Sequence, residues 1–249
     1  MRLTRVHVAA PLASGALLQL PEDAARHLVR VLRLEAGAPL RAFNGEGGEF
    51  DAVIEAVRRG EVTVRIGAHH AVGRESPLRV TLLQGIARGE KMDYILQKAT
   101  ELGVARVVPV TTVRSTVRLT EQTAARKRGH WQAVVTSAAE QCGRDRVPEV
   151  EAPLTLSAAL AAVAAELKLL LDPGESASSL PQLLAATTRQ GERTIALLAG
   201  PEGGFDTQEV QAATLAGFRS CRLGPRILRT ETAALAALAV LQFAAGDLG

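Results

Sequence analysis

The chain has 249 residues, 47% of them hydrophobic but only 3% aromatic, so one large or two modest domains must fill their cores with Leu, Val, Ile and Ala. Its two cysteines, Cys142 and Cys221, lie far apart without ligand spacing, which argues against a disulfide framework or a zinc site and fits a reducing compartment. The net charge of +3 is uneven: residues 76–150 carry 12 basic and 7 acidic side chains, against 7 and 10 in residues 151–249, so the basic middle is either a polyanion-binding face or the solvated surface of an ordinary basic protein.

Residues 1–20 are basic, but Pro11, Ser14 and Gly15 interrupt the apolar stretches, which reads as an edge strand and turn rather than a signal peptide. One helical stretch, Glu22 to Leu32, follows. Three short alternating runs, Leu40–Phe43, Glu49–Ile54 and Glu61–Ile66, are punctuated by Gly45, Gly47, Gly48 and Gly60, as expected of hairpins that close into a small barrel. From about residue 76 the rhythm becomes strand, helix, strand. Leu78–Leu83 is a strand, and Glu90–Leu102 is an amphipathic helix with Met92, Ile95, Leu96, Ala99 and Leu102 on one face. Val104–Val110, Leu167–Leu171, Thr194–Ala199 and Phe218–Leu223 are further strands, and Glu121–Gln141, Thr207–Leu215 and Thr230–Ala245 are helices. Strands separated by helices predict a parallel, doubly wound α/β sheet. The expected division is a β-rich domain over 1–72 and an α/β domain over 73–249. The longest apolar stretch, Ala233–Ala245, falls short of the ~20 residues that span a bilayer, so a soluble cytoplasmic protein without membrane contact is expected.

Two glycine-bearing turns stand out, each after a strand and before a helix. The first is Gly200-Pro201-Glu202-Gly203-Gly204-Phe205, with Asp206 or Thr207 able to cap the next helix. It has neither G-x-G-x-x-G nor the Gly-Lys-Ser/Thr of a P-loop, and Glu202 would repel phosphate, so a polyphosphate ligand is disfavoured. The second runs from Leu223 to Ala233. There Gly224 and Pro225 shape the exit, and Ile227 and Leu228 either plug the core or meet a flat apolar ligand. Thr230 is a candidate N-cap, Glu231 sits where the helix dipole favours a carboxylate, and Arg229 is a surface charge or a substrate clamp.

These two segments together resemble the small-subunit (16S) ribosomal RNA uridine-N3 methyltransferases of the SPOUT superfamily. Three more segments are similar: Lys91 to Val104, Trp131 through Ala139–Arg144 to Val147-Pro148, and His27 to Arg33. The resemblance spans nearly the whole chain. It implies an N-terminal PUA-like β-barrel and a C-terminal α/β domain with a deep trefoil knot, a topology that is rare. It also implies S-adenosylmethionine bound in the knot, no metal, a homodimer, and as substrate a uridine of 16S rRNA near the decoding centre. The cofactor would lie against Leu171, Gly200, Pro201, Glu202, Gly203, Leu223, Gly224, Ile227, Leu228 and Thr230. Such a ligand carries a sulfonium and no phosphate, which a carboxylate beside the glycines tolerates.

Methylation at uridine N3 requires loss of the N3 proton, so a base and a cation for the uridine oxygens are expected. Arg229 is the candidate cation, and Glu231 or Glu202 the candidate base. Candidate RNA contacts are Arg5, Arg30 and Arg33 in the first domain and Lys91, Lys98 and Arg114 in the basic middle. Phe205 and Tyr94 are candidates for base stacking, and His27 reads as a local structural residue. The competing readings are a non-catalytic RNA-binding or ribosome-assembly module, a SPOUT enzyme acting on another RNA site, and an unrelated α/β enzyme. The last is disfavoured by the missing phosphate motifs.

Overall fold

The computed structural model describes residues 3–117, 119–174, 177–185 and 193–249. The chain falls into two compact units, one of Met1–Glu75 with Ala139–Val147, the other of Ser76–Ala138 with Pro148–Gly249.

The first unit contains β1 (Thr4–His7), β2 (Leu17–Gln19), α1 (Glu22–Arg26), β3 (Pro39–Phe43), β4 (Glu49–Arg58) and β5 (Glu61–His70). Its sheet runs β1-β3-β4-β5-β2, with β1 and β3 parallel and the other pairs antiparallel. The alternation seen in the sequence is the inward face: Val62, Val64 and Ile66 are buried together with Leu40, Ala52, Ile54 and Val6. Register shifts in β4 between Phe50 and Ala52 and between Ile54 and Ala56 bend that long strand around the core. The helix expected over Glu22–Leu32 narrows to α1 followed by a π-turn at His27–Val31, closed by Leu32 N–H donating to the His27 carbonyl at 3.0 Å. Leu28 enters the core, while His27, Arg30 and Arg33 remain exposed, and Arg33 takes a φ of 55°.

The second unit comprises β6 (Leu78–Gly85), α2 (Glu90–Glu101), β7 (Val104–Thr111), α3 (Glu121–Cys142), β8 (Glu149–Val150), β9 (Leu154–Thr155), α4 (Leu156–Ala162), β10 (Leu167–Leu171), β11 (Ser178–Ser179), α5 (Leu180–Ala185), β12 (Arg193–Ala199), α6 (Thr207–Leu215), β13 (Arg219–Arg222) and α7 (Thr230–Ala245). The last turn of α3 belongs to the first unit. Every strand pair is parallel, in the order β11-β13-β10-β12-β6-β7-β8, with β9 beside β7. Val80, Leu82, Leu83 and Ile195–Ala199 are buried, as strands covered on both faces require, which is why their apolar runs are continuous rather than alternating. On one side α4 and α6 pack through Leu156, Leu160 and Ala213 against Leu83, Val108, Leu170 and Leu198. Elsewhere α7 packs on α2, β6 and β12. Because the strands are parallel, the chain leaves β6, β10, β12 and β13 at one edge of the sheet, where α/β proteins build ligand sites.

Candidate active site

The two glycine turns come together at that edge and wall a single cavity of about 510 Å³. That size lies within the ~300–1,000 Å³ of small-molecule sites. Its walls include Leu171, Gly200, Pro201, Glu202, Gly203, Leu223, Gly224, Ile227, Leu228 and Thr230, every residue expected against a cofactor. Much of the wall is backbone, and the packing explains why. A Cβ on Gly203 would lie 2.9 Å from Cβ of Arg114, whose guanidinium donates to the Gly203 carbonyl at 3.1 Å. A Cβ on Gly85, at the end of β6, would run into Pro201 and lie 2.8 Å from the carbonyl carbon of Gly200. Sequence reasoning missed Gly85 and its neighbour Gln84, although a polar residue closing an apolar strand was a visible signal. Gln84 is fully buried; its amide donates to Thr230 Oγ1 at 3.1 Å, and that hydroxyl donates to the Gly200 carbonyl, joining the two turns.

The caps also differ in part from expectation. Asp206 caps α6 in a full capping box with Glu209, as read from the sequence. At α7 the N-cap is Arg229, which makes no side-chain cap hydrogen bond, and Thr230 is the first helical residue. Thr230 lies inside the helix rather than before it, and its hydroxyl accepts from Gln84 and donates to Gly200. The cavity therefore borders a helix start without a side-chain cap. Asp172, Pro173, Cys221, Arg222 and Arg226 also line the cavity and were not anticipated. Burial pushes the Cys221 thiol up to about 11, so it stays protonated.

The charged residues sit at the rim. Glu202 accepts from the Arg88 backbone N–H at 3.1 Å. Burial opposes its ionisation, but the backbone hydrogen bonds, among them that of Arg88, and the Lys91 ammonium outweigh this and hold its carboxyl below the usual range. Glu231 does not line the main cavity; it lines a neighbouring depression with Glu90, Lys91, Tyr94, Thr232, Leu235 and Ala236. Lys91 borders both and lies 3.5 Å from Glu202 Oε1 and 3.8 Å from Glu231 Oε2. Arg229 lines the main cavity and is exposed.

Of the expected RNA contacts, Arg30 and Arg33 are exposed in the first unit, Arg114 and Lys91 border the cavity, and Lys98 pairs with Glu101 at 2.7 Å. Arg5 is a correction. Its side chain is only 4% exposed, it pairs with Glu49 at 3.1 Å, and it donates to the carbonyls of Ala139 and Arg144 at 2.9 and 2.8 Å. It also stacks 4.3 Å over Phe43. Buried and held by these bonds inside the unit, it does not present its guanidinium to a phosphate. Tyr94 is half exposed, whereas Phe205 packs against the core and sits close to Gly200.

A parallel α/β domain that gathers two glycine turns into one cavity, in a chain that also carries a separate β unit, is the build of a two-domain ligand-binding protein. Residues 74–242 match the family model described as an RNA methyltransferase domain, and residues 20–67 match the RNA methyltransferase PUA domain. The chain belongs to this RNA methyltransferase family. It is 30% identical to the ribosomal RNA small subunit methyltransferase E of Buchnera aphidicola from Schizaphis graminum, over 99% of this chain and 98% of that one. It is 40% identical to Lpg2936 of Legionella pneumophila, solved with the cofactor SAM, with a TM-score of 0.94 and full coverage of both chains. It is 36% identical to the Neisseria gonorrhoeae ribosomal RNA small subunit methyltransferase E bound to S-adenosyl methionine, with a TM-score of 0.88 and again full coverage of both chains.

Proposed function

We propose that the protein is an S-adenosylmethionine-dependent methyltransferase that modifies N3 of a uridine in 16S rRNA. One observation carries the reading: both glycine turns wall one cavity, with Glu202 among the glycines and no phosphate grip. Such a cavity fits an adenosyl group whose charged centre is a sulfonium rather than a pyrophosphate. The names and bound cofactors of the relatives support the same ligand and substrate.

The donor supplies a methyl group and leaves as a neutral thioether. The chain's residues do the rest. The backbone walls and Leu171, Leu223 and Leu228 orient the adenosyl part. A carboxylate, Glu202 or Glu231, takes the N3 proton as the nitrogen lone pair forms its bond to the methyl carbon. Arg229 faces the negative charge that develops on the uridine oxygens. Alignment of donor and nitrogen contributes the remaining acceleration. Exposed Arg30 and Arg33, with Arg114 at the cavity, are proposed to hold RNA phosphates.

The same reading takes the C-terminal domain as a SPOUT-type trefoil knot acting as a homodimer in the cytoplasm. The insertion of β13 between β10 and β11 supports the topology, because the chain must pass back beyond β10 after β12. The deciding experiment is mass analysis of 16S rRNA nucleosides from a strain lacking the gene. N3-methyluridine should be missing and return on complementation; its persistence would overturn the reading.

A further inference from the structure

We propose that Lys91 is a positioning residue for the reaction: from the first turn of α2 it bridges Glu202, on the loop after β12, and Glu231, on the first turn of α7, and fixes the first carboxylate at the cavity and the second in the neighbouring depression. Its place in the basic middle of the sequence made it a candidate phosphate contact. The structure instead sets its Nζ 3.5 Å from Glu202 Oε1 and 3.8 Å from Glu231 Oε2. It is the residue common to the linings of the main cavity and the neighbouring depression. Three separate segments of one unit therefore meet on a single ammonium.

The partners of the two carboxylates differ. Glu202 Oε1 also accepts from the Arg88 backbone N–H. Glu231 Oε2 is buried and has no hydrogen-bond donor among the described residues, so its pairing with Lys91 is an ion pair at contact distance rather than a made hydrogen bond. That leaves Glu231 Oε2 with free acceptor capacity. The other ionisable groups lining the two hollows are Glu90 and Tyr94 of α2 in the depression, and Arg114, Asp172, Cys221, Arg222, Arg226 and Arg229 on the cavity wall. The trio of one ammonium and two carboxylates by itself carries one net negative charge. Without Lys91, two like charges would face each other, and a proton would lodge on one of them. On the acid side of the pH profile the carboxylate that accepts the N3 proton would then be filled at a higher pH. The catalytic consequence rests on the methyl-transfer reading; the ionic bridge does not.

The test compares the full chain with Lys91→Met and Lys91→Arg. Carboxyl titration by carbon-13 NMR, assigned through Glu202→Gln and Glu231→Gln, should show one carboxyl of Lys91→Met titrating about one pH unit or more above the parent. Lys91→Arg should restore the parent curve. In methylation of small-subunit RNA, Lys91→Met should lower kcat about tenfold or more and move the acid limb of its pH profile upward, with KM within about threefold. Unchanged carboxyl titration in Lys91→Met overturns the bridge. So does a rise in KM alone with a salt slope reduced by about one, which marks a phosphate contact. A parent chain that binds S-adenosylmethionine yet leaves small-subunit RNA unmodified overturns the proposed function, while the titration still decides the bridge.

Discussion

Arg229 lends its backbone to the start of α7, and its guanidinium, at the cavity wall, has no hydrogen bond or ion pair among the described residues. Arg229→Ala should lower kcat about 100-fold, the usual loss for one electrostatic contact to a developing oxyanion. Calorimetric affinity for S-adenosylmethionine should stay within about threefold; equal loss of both would sink the clamp role. Glu140, in the first unit, accepts from the His7 N–H at 2.9 Å. Burial raises its carboxyl above the ordinary 4.5, against the lowering by His7, His27 and Arg5. A raised acid stabilises the fold below 4.5, and that contribution is lost as pH climbs through the raised value. Glu140→Gln keeps the acceptor and removes the charge, so its melting temperature relative to the parent should be higher at pH 7 than at pH 4. A gap that does not change with pH would refute this.

Elements explain what the sequence made legible and what it hid. Glycine and proline spell turns locally, so both walls of the cavity could be read residue by residue. The amphipathic helix α2 declared its face through Met92, Ile95 and Leu96. The strands β8, β9 and β11 have two residues each and carry no period, so they were invisible. Arg5 misled because its charge and its place in the first domain say nothing of what covers the side chain. In β1 both Arg5 and Val6 are buried, since the segment Ala139–Val147 supplies carbonyls to the face where Arg5 lies. The meeting of Lys91, Glu202 and Glu231 depends on tertiary closure and leaves no local trace. Gly85 is the element-scale test. Gly85→Ala forces a methyl into the Gly200-Pro201 turn, and overpacking of this kind costs ~1–3 kcal/mol. It should weaken S-adenosylmethionine binding by calorimetry about tenfold while the circular dichroism spectrum is kept. Unchanged affinity would mean that the turn yields freely.

At the scale of the whole molecule, α7 leaves an apolar stripe uncovered. Val240 and Phe243, three residues apart on one helical face, are 40% and 69% exposed, and Tyr94 of α2 is half exposed. A homodimer formed through the C-terminal domain would cover such a stripe. Phe243→Asp should shift the mass seen by light scattering from dimer to monomer; a parent chain that is already monomeric would refute the dimer. No helix among the described residues is long and apolar enough to cross a membrane. The backbone character of the cavity wall has a consequence for chemical biology. A binding site is usually re-engineered for an enlarged synthetic donor by trimming a bulky side chain to make room. Gly200, Gly203 and Gly224 themselves have no side chain to trim, and their peptide groups cannot be mutated away. Room for an orthogonal donor must therefore come from lining side chains such as Leu171, Leu223, Phe205 or Arg114, and no substitution at the three glycines should admit a bulkier cofactor analogue.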